Sequence, residues 1–336
     1  MHTGSLNYLN TQPKEALRPV RIAVVGIGRW GAKLARRLES LPGCELLVLC
    51  DIDHSRIATT HFGVSVRISD SFDAVLTDEA IDAVVIATPA PLHAEQTVRA
   101  LGSGKHVFVE KPMALSSRHA QEITAATARS SRIVMVGHIL QHDPTMHQLQ
   151  KLCASGALGS LQYIEAERFN TTLPGPSEGV WWNLGPHDVS TILQLAGEMP
   201  LKVFGSPLRL PGCAGEAYAA HLEFSSGLKA DIRVADGYLT KVRRLRVVGS
   251  EGSVLWAPLN SNRLQLVPLR GARTEFECPP MASGRDALTL ELADFVSAIR
   301  ERRAPRTDHH QGGQVVSVLE SALPGIIVQL RRHTSD

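Results

Sequence analysis

The stretch Ile22-Ala23-Val24-Val25-Gly26-Ile27-Gly28-Arg29-Trp30-Gly31 passes from four apolar residues into a glycine turn and on into a segment of helical spacing, Trp30 to Glu39. A buried strand that delivers a glycine turn to a helix start makes a cradle for a pyrophosphate, because free amides and the helix dipole both favour an anion there. Gly26 permits the tight turn. Gly28 lets the backbone approach the phosphates with no Cβ between, and Gly31 allows the helix to pack closely on the sheet. Arg29 and Trp30, in the same turn, are cofactor-binding candidates with them. Asp51 closes the next apolar run, Leu46-Leu47-Val48-Leu49-Cys50. A carboxylate there meets ribose hydroxyls and repels a 2′-phosphate, so the expected cofactor is NAD, with NADP disfavoured. Arg56 works against that preference, and Asp53 reads as a cap for the helix starting at His54.

From residue 20 to 138 the chain alternates apolar runs with helical segments. Ile22–Val25, Leu46–Cys50, Ala83–Ala87, His106–Val109 and Ile133–Val136 are the expected strands; Gly31–Ser40, Ser55–His61, Ala90–Leu101 and Ser117–Ala128 are the expected helices. Such alternation implies a doubly wound parallel sheet. After Pro144 the pattern changes. A helix from Thr145 to Ser155 precedes strand-like segments at Leu161–Phe169, Ala217–Phe224, Leu228–Val234, Lys241–Gly249 and Ser253–Trp256, and Leu288–Arg300 and Gln314–Leu330 read as closing helices. The expected class is therefore α/β. A Rossmann domain over 20–138 follows a flexible arm over 1–19, and an α+β domain over 139–336 carries a mainly antiparallel sheet, the substrate and the oligomer contacts.

Composition narrows the partners. The chain has 336 residues, 43% of them hydrophobic, and a net charge of +2 with no long basic run, so neither nucleic acid nor an anionic membrane is an expected partner. No apolar stretch approaches the roughly 20 residues that span a bilayer, and residues 1–19 lack a signal-peptide core. Five cysteines, at 44, 50, 153, 213 and 278, show no Cys-x-x-Cys spacing and fit the reducing cytoplasm. Cys44 and Cys50 flank a strand as small core residues. No metal is expected: Pro144 interrupts His138, His142 and His147, and the pair His309-His310 reads as a solvated loop.

Open parallel sheets bind ligands beyond the carboxyl ends of their strands. Thr88-Pro89 follows one such end, Glu110-Lys111-Pro112 another and Gly137-His138 a third. Thr88, Pro89 and His93 are cofactor-path candidates, with His93 also a possible helix cap. Pro112 holds Lys111 away from helical backbone angles. Further on, Trp181-Trp182-Asn183-Leu184-Gly185-Pro186-His187-Asp188 places two aromatics and a titratable histidine before an apolar helix, Val189–Leu195. His187 alone reads as structural; facing Lys111 across a cleft, it becomes a proton carrier. At least one tryptophan belongs to the core, and the other is a stacking surface. Arg168, Asn170 and Thr171 end a strand bordering that cleft, where Arg168 either engages a substrate phosphate or forms a surface salt bridge.

Taken together, the glycine turn, Glu110-Lys111-Pro112 and Asn183-x-Gly185-x-His187 resemble the glucose-fructose oxidoreductase and inositol dehydrogenase family. The resemblance implies a Rossmann domain before an antiparallel-sheet domain, hydride transfer between NAD and a carbinol of a sugar, cyclitol or nucleotide-sugar, and Lys111 with His187 as the catalytic pair. Glu110 and Pro112 would hold the lysine and shape the nicotinamide pocket, with Arg168 and Asn183 beside the substrate. A narrower likeness, through Gly137-His138, Pro144, Gly156-Ala157-Leu158-Gly159, Arg168 and Trp182 to Asp188, is to bacterial UDP-N-acetylhexosamine 3-dehydrogenases. The family commonly has aspartate where this chain has Asn183. The expected activity is thus a nucleotide-sugar dehydrogenase; a free cyclitol or monosaccharide dehydrogenase and a non-catalytic NAD-binding regulator are the alternatives. The open sheet face implies a homodimer or homotetramer.

Overall fold

The β-branched residues of Val20–Val25 (β1) lie at the centre of a parallel sheet because its flanks are covered by helices and both faces are apolar. The computed structural model describes residues 18–58, 62–63, 65–173, 178–259, 263–272, 274–277 and 286–324. The first 17 residues of the expected arm, Cys278 and the last helix beyond residue 324 lie outside these.

In the first half the elements follow the expected alternation: α1 (Gly31–Glu39), β2 (Cys44–Cys50), α2 (His54–Ala58), β3 (Arg67–Ser69), α3 (Phe72–Thr77), β4 (Ala83–Ile86), α4 (His93–Gly102), β5 (His106–Glu110), α5 (Ser117–Ser130) and β6 (Val134–Gly137). All pairs are parallel in the order β3-β2-β1-β4-β5-β6. The order reverses between β1 and β4, where a dinucleotide crosses such a sheet. Neither helix α3 nor strand β3 was expected. Strand β3 is three residues at an exposed edge, too short to show a period.

The second half holds α6 (Pro144–Ala154), β7 (Leu161–Phe169), α7 (Gly179–Ala196), β8 (Lys202–Pro207), β9 (Ala217–Glu223), β10 (Lys229–Ala235), β11 (Val242–Gly249), β12 (Gly252–Trp256), β13 (Arg263–Pro268), β14 (Thr274–Glu277), α8 (Ala287–Glu301) and α9 (His309–Ser321). Its eight strands run β14-β13-β12-β11-β7-β10-β9-β8, antiparallel except for the parallel pair β7 and β10. Ile164, Ala166, Ile232, Val234, Ala220 and Leu222 turn one face toward α7, all buried. The opposite face carries Glu165, Asp231, Arg233 and His221. Strand β8 escaped sequence reading because Gly205, Ser206 and Pro207 look like a turn. It is an edge strand, where proline is tolerated.

Three expectations are corrected. The run from Trp181 to Asp188 is not a lead-in to a helix but the interior of α7, which continues through Pro186. Tertiary packing outweighs the breaker signal: a Cβ on Gly185 would lie 2.8 Å from the Trp181 ring, and the Trp181 indole donates to the Leu319 carbonyl at 3.0 Å. His309 and His310 form the first turn of α9 rather than a loop, capped by Asp308, whose side chain accepts from the Gln311 amide. Finally, α8 packs on the Rossmann half. Leu288, Leu292, Phe295 and Val296 join Ile22, Val24, Phe108 and Met135 in one apolar cluster, and Thr307 hydrogen-bonds β6 at Val136.

Candidate active site

At the carboxyl ends of the parallel strands a cavity of about 810 Å³ runs from the glycine turn to α7. The turn is built as its glycines require. Gly26 has φ +89°, and a Cβ there would lie 2.6 Å from the Thr88 nitrogen; a Cβ on Gly31 would lie 1.8 Å from the Gly26 carbonyl oxygen. At Gly28, by contrast, a Cβ would meet nothing within 4 Å. Gly28 lines the cavity, so the cradle has room where a pyrophosphate approaches. No side chain caps α1; within its first turn the amides of Ala32 and Lys33 donate to the carbonyls of Gly28 and Trp30.

Asp51 is buried and its carboxylate accepts from the Ile27 amide at 2.6 Å and the Asp53 amide at 2.9 Å. It therefore ties the turn to the end of β2 while still lining the cavity. Asp53 accepts from the Ser55 amide, as a cap does, and pairs with Arg56 at 3.2 Å. These residues suit a dinucleotide.

At the other end, Lys111 leaves β5 beside the buried Glu110 and is followed by a cis bond to Pro112. Its Nζ donates to the Asn183 backbone carbonyl at 2.8 Å and to Asn183 Oδ1 at 3.4 Å. Asn183 and His187 are one helical turn apart on α7, and both line the cavity with Lys111 and Trp182. Pro186, within the same helix, offers no N–H to the Trp182 carbonyl one turn earlier. Burial pushes the Lys111 ammonium below its ordinary range, and Arg168 pushes the same way against the pull of Glu110. His187 is held well below 6.5 by burial and by the charges of Arg168 and Lys111. Its Nδ1 has no partner among the described residues.

The Trp30 indole donates to Glu110, whose carboxyl burial pushes up to about 7. Thr88 bonds Gln96 at 2.6 Å, and the His93 ring sits between the carbonyls of Pro112 at 2.8 Å and Thr88 at 2.7 Å. A neutral ring has one N–H, so His93 donates to one of the two carbonyls and packs against the other. Gln96, one turn beyond His93 on α4, and Glu178, just before α7, also line the cavity. The spacing of Gln96 from His93 could have revealed the first; no sequence pattern marks the second.

Arg168 stands apart. It makes a buried two-pronged ion pair with Asp188, both contacts 2.8 Å, rather than a surface salt bridge. Strand alternation points it at α7 with Ala166. Asn170 is likewise occupied, by Arg243 at 2.6 Å and Asp236 at 3.3 Å. Of the two tryptophans, Trp181 stacks on Tyr218 in the core while Trp182 faces the cavity. Among the described residues no three His, Cys, Asp or Glu side chains are grouped to hold a metal ion, and no helix is long and apolar enough to cross a membrane.

A glycine-turn Rossmann sheet joined to an antiparallel sheet, with a lysine and a histidine converging at the end of the cofactor cleft, defines a nicotinamide-dependent oxidoreductase class. The chain belongs to the GFO/IDH/MocA oxidoreductase family: residues 20–138 match its NAD-binding Rossmann domain and residues 146–255 its C-terminal domain. It is 27% identical over 303 residues to scyllo-inositol 2-dehydrogenase (NAD(+)) of Bacillus subtilis, covering 85% of this chain and 88% of that one. To UDP-N-acetylglucosamine 3-dehydrogenase of Acidithiobacillus ferrooxidans it is 26% identical over 305 residues, covering 89% and 94%. Aldose-aldose oxidoreductase of Caulobacter crescentus, solved with glycerol, shares the fold at a TM-score of 0.80 and 24% identity, over 93% of this chain and 100% of that one.

Proposed function

We propose that this enzyme oxidises a carbinol of a free cyclitol or monosaccharide. The observation that carries the reading is the convergence of Lys111, Asn183 and His187 at the end of the cavity that begins at the glycine turn. Lys111 is the proton acceptor: a base works best with a pKa near the working pH, and burial moves the lysine toward that range while it moves His187 away. Neutral His187 holds the substrate hydroxyl in line, and Asn183 keeps the lysine aimed into the cavity. Bound NAD supplies the hydride acceptor.

The charges support this substrate class. At the Lys111 end the cavity is lined by Glu178, Trp182, Asn183 and His187, and the arginine expected to take a phosphate, Arg168, is held by Asp188. A nucleotide-sugar is the second reading, favoured by the similarity to UDP-N-acetylglucosamine 3-dehydrogenase. The oligomer belongs to the same proposal. The charged outer face of the second sheet, with Phe204 exposed at its edge, is where a second copy would pair, and the solution mass tests this.

The test is incubation with NAD and a panel of inositols, hexoses and UDP-N-acetylhexosamines, reading NADH absorbance, with a keto-acid acceptor included for tightly held cofactor. Lys111→Ala is the control, expected to lose roughly 10² to 10⁴ in rate while retaining NAD binding. Turnover confined to nucleotide-sugars would replace the first reading by the second. Silence across both classes would favour a non-catalytic NAD-binding role.

A further inference from the structure

Helix α7 begins at Gly179, and Glu178 before it occupies the position from which a side chain caps the first amides of a helix, yet its carboxylate makes no such bond. The cap comes from elsewhere. Glu216, just before β9, accepts from the Val180 amide at 3.0 Å, and a Cβ on Gly179 would lie 3.4 Å from the same carboxylate oxygen. Glu178 is thereby released from the helix end. It is half-buried and lines the cavity with Lys111, Trp182, Asn183 and His187. Among the described residues neither a hydrogen bond nor an ion pair occupies its carboxylate.

The place of Glu178 along the chain sets what it can reach. Lys111 Nζ is anchored at the Asn183 carbonyl, and Glu178 stands five residues earlier, about 7.5 Å back along the helix axis at a rise of roughly 1.5 Å per residue. That separation suits a six-membered ring carrying hydroxyls: with one carbinol at Lys111, the hydroxyls across the ring come to Glu178. Trp182, one turn from Glu178 on the same side of α7, gives the C–H face of such a ring an apolar surface. A carboxylate offers two acceptor oxygens and no donor, so it fits a pair of neighbouring hydroxyls and repels a second anion. Arg29 and Arg56, the other cations among the described lining residues, belong to the glycine-turn end, where Arg56 pairs with Asp53. Neither stands at the Lys111 end to neutralise Glu178.

We propose that Glu178 is a substrate-binding residue that accepts hydrogen bonds from two adjacent hydroxyls across the ring from the reacting carbinol, and that its charge excludes substrates carrying an anion at that position. The outcome is selection by charge: neutral polyols are held, whereas uronates and sugar phosphates built on the same ring are refused. This rests on the substrate being a free cyclitol or monosaccharide, and it names the residue that enforces that choice.

The test takes the full-length enzyme, the neutral polyol of the panel with the highest kcat/KM, and glucuronate as a competing anion. Glu178→Gln keeps the shape of the side chain and removes its charge. Hydrogen bonds to a charged group are the stronger kind, so KM for the polyol should rise roughly 10- to 100-fold while kcat falls far less. The inhibition constant of glucuronate should fall by about tenfold in the same variant. Both constants are read on the pH plateau of each protein, because the charge of Glu178 also favours the Lys111 ammonium. An unchanged KM, or a glucuronate constant that does not move, would overturn the proposal, while wild-type turnover of free polyols would leave the substrate reading standing. A parallel loss of NAD affinity and thermal midpoint would assign Glu178 to the support of α7 instead and overturn it too. Wild-type turnover confined to nucleotide-sugars would overturn the substrate reading, and the proposal with it.

Discussion

Lys111 is where residue chemistry and local backbone meet. Its ammonium is bound to a main-chain carbonyl of α7 at 2.8 Å and to the Asn183 amide oxygen at 3.4 Å, contacts that orient it without supplying a full negative charge. Aspartate at 183 would supply one. Asn183→Asp should therefore stabilise the ammonium, raise the lysine pKa and shift the acid limb of kcat/KM to higher pH. A pH profile that superimposed on wild type would show that the side chain at 183 is not electrically coupled to the base. The cysteines present the opposite case: burial holds Cys44, Cys50 and Cys153 at about 11, so their thiols remain protonated and serve as small core groups.

At the scale of elements, the β1 turn and α1 separate two kinds of glycine. Gly31 is fixed by packing, with the Gly26 carbonyl in the space a Cβ would need, whereas Gly28 faces the open cavity. Gly31→Ala should lower the unfolding midpoint and weaken NAD binding together, because the helix must move off the sheet. Gly28→Ala should leave the midpoint near wild type and weaken NAD binding alone. Thermal melts with and without NAD separate the two, and equal loss of stability in both variants would remove the distinction. Helix α7 makes a related point. Gly185 and Pro186 would each weaken an isolated helix, yet Trp181, Tyr218 and Leu319 hold them inside one.

Across the whole molecule, the last third of the chain returns to the first. Helix α8 seals one face of the parallel sheet, α9 packs against α5 and α7, and Thr307 hydrogen-bonds β6. Phe295 is fully buried where α8 meets β5. Phe295→Ala should cost about 3–5 kcal/mol by leaving a cavity beneath the sheet that carries the site. A denaturant midpoint within error of wild type would show that α8 contributes little to holding the two parts of the chain together.

The parallel sheet, the glycine turn, Asp51 and Lys111 were legible in the chain because each depends on neighbours a few residues away: an apolar run, a turn, a strand end. The antiparallel strands with clean alternation, β7 and β9 to β12, were legible for the same reason. Strands β3, β8, β13 and β14 were not: β3 is short and exposed, and β8 is rich in turn residues. The interior position of His187 in α7 and the capture of Arg168 by Asp188 were set by the fold. Each joins residues far apart in the chain: 20 positions separate Arg168 from Asp188, and 138 separate Trp181 from its acceptor on Leu319. Local pattern states what a residue is able to do. Burial and long-range pairing decide whether a charge is free: here they pair Arg168 with Asp188 and leave Lys111 lining the cleft.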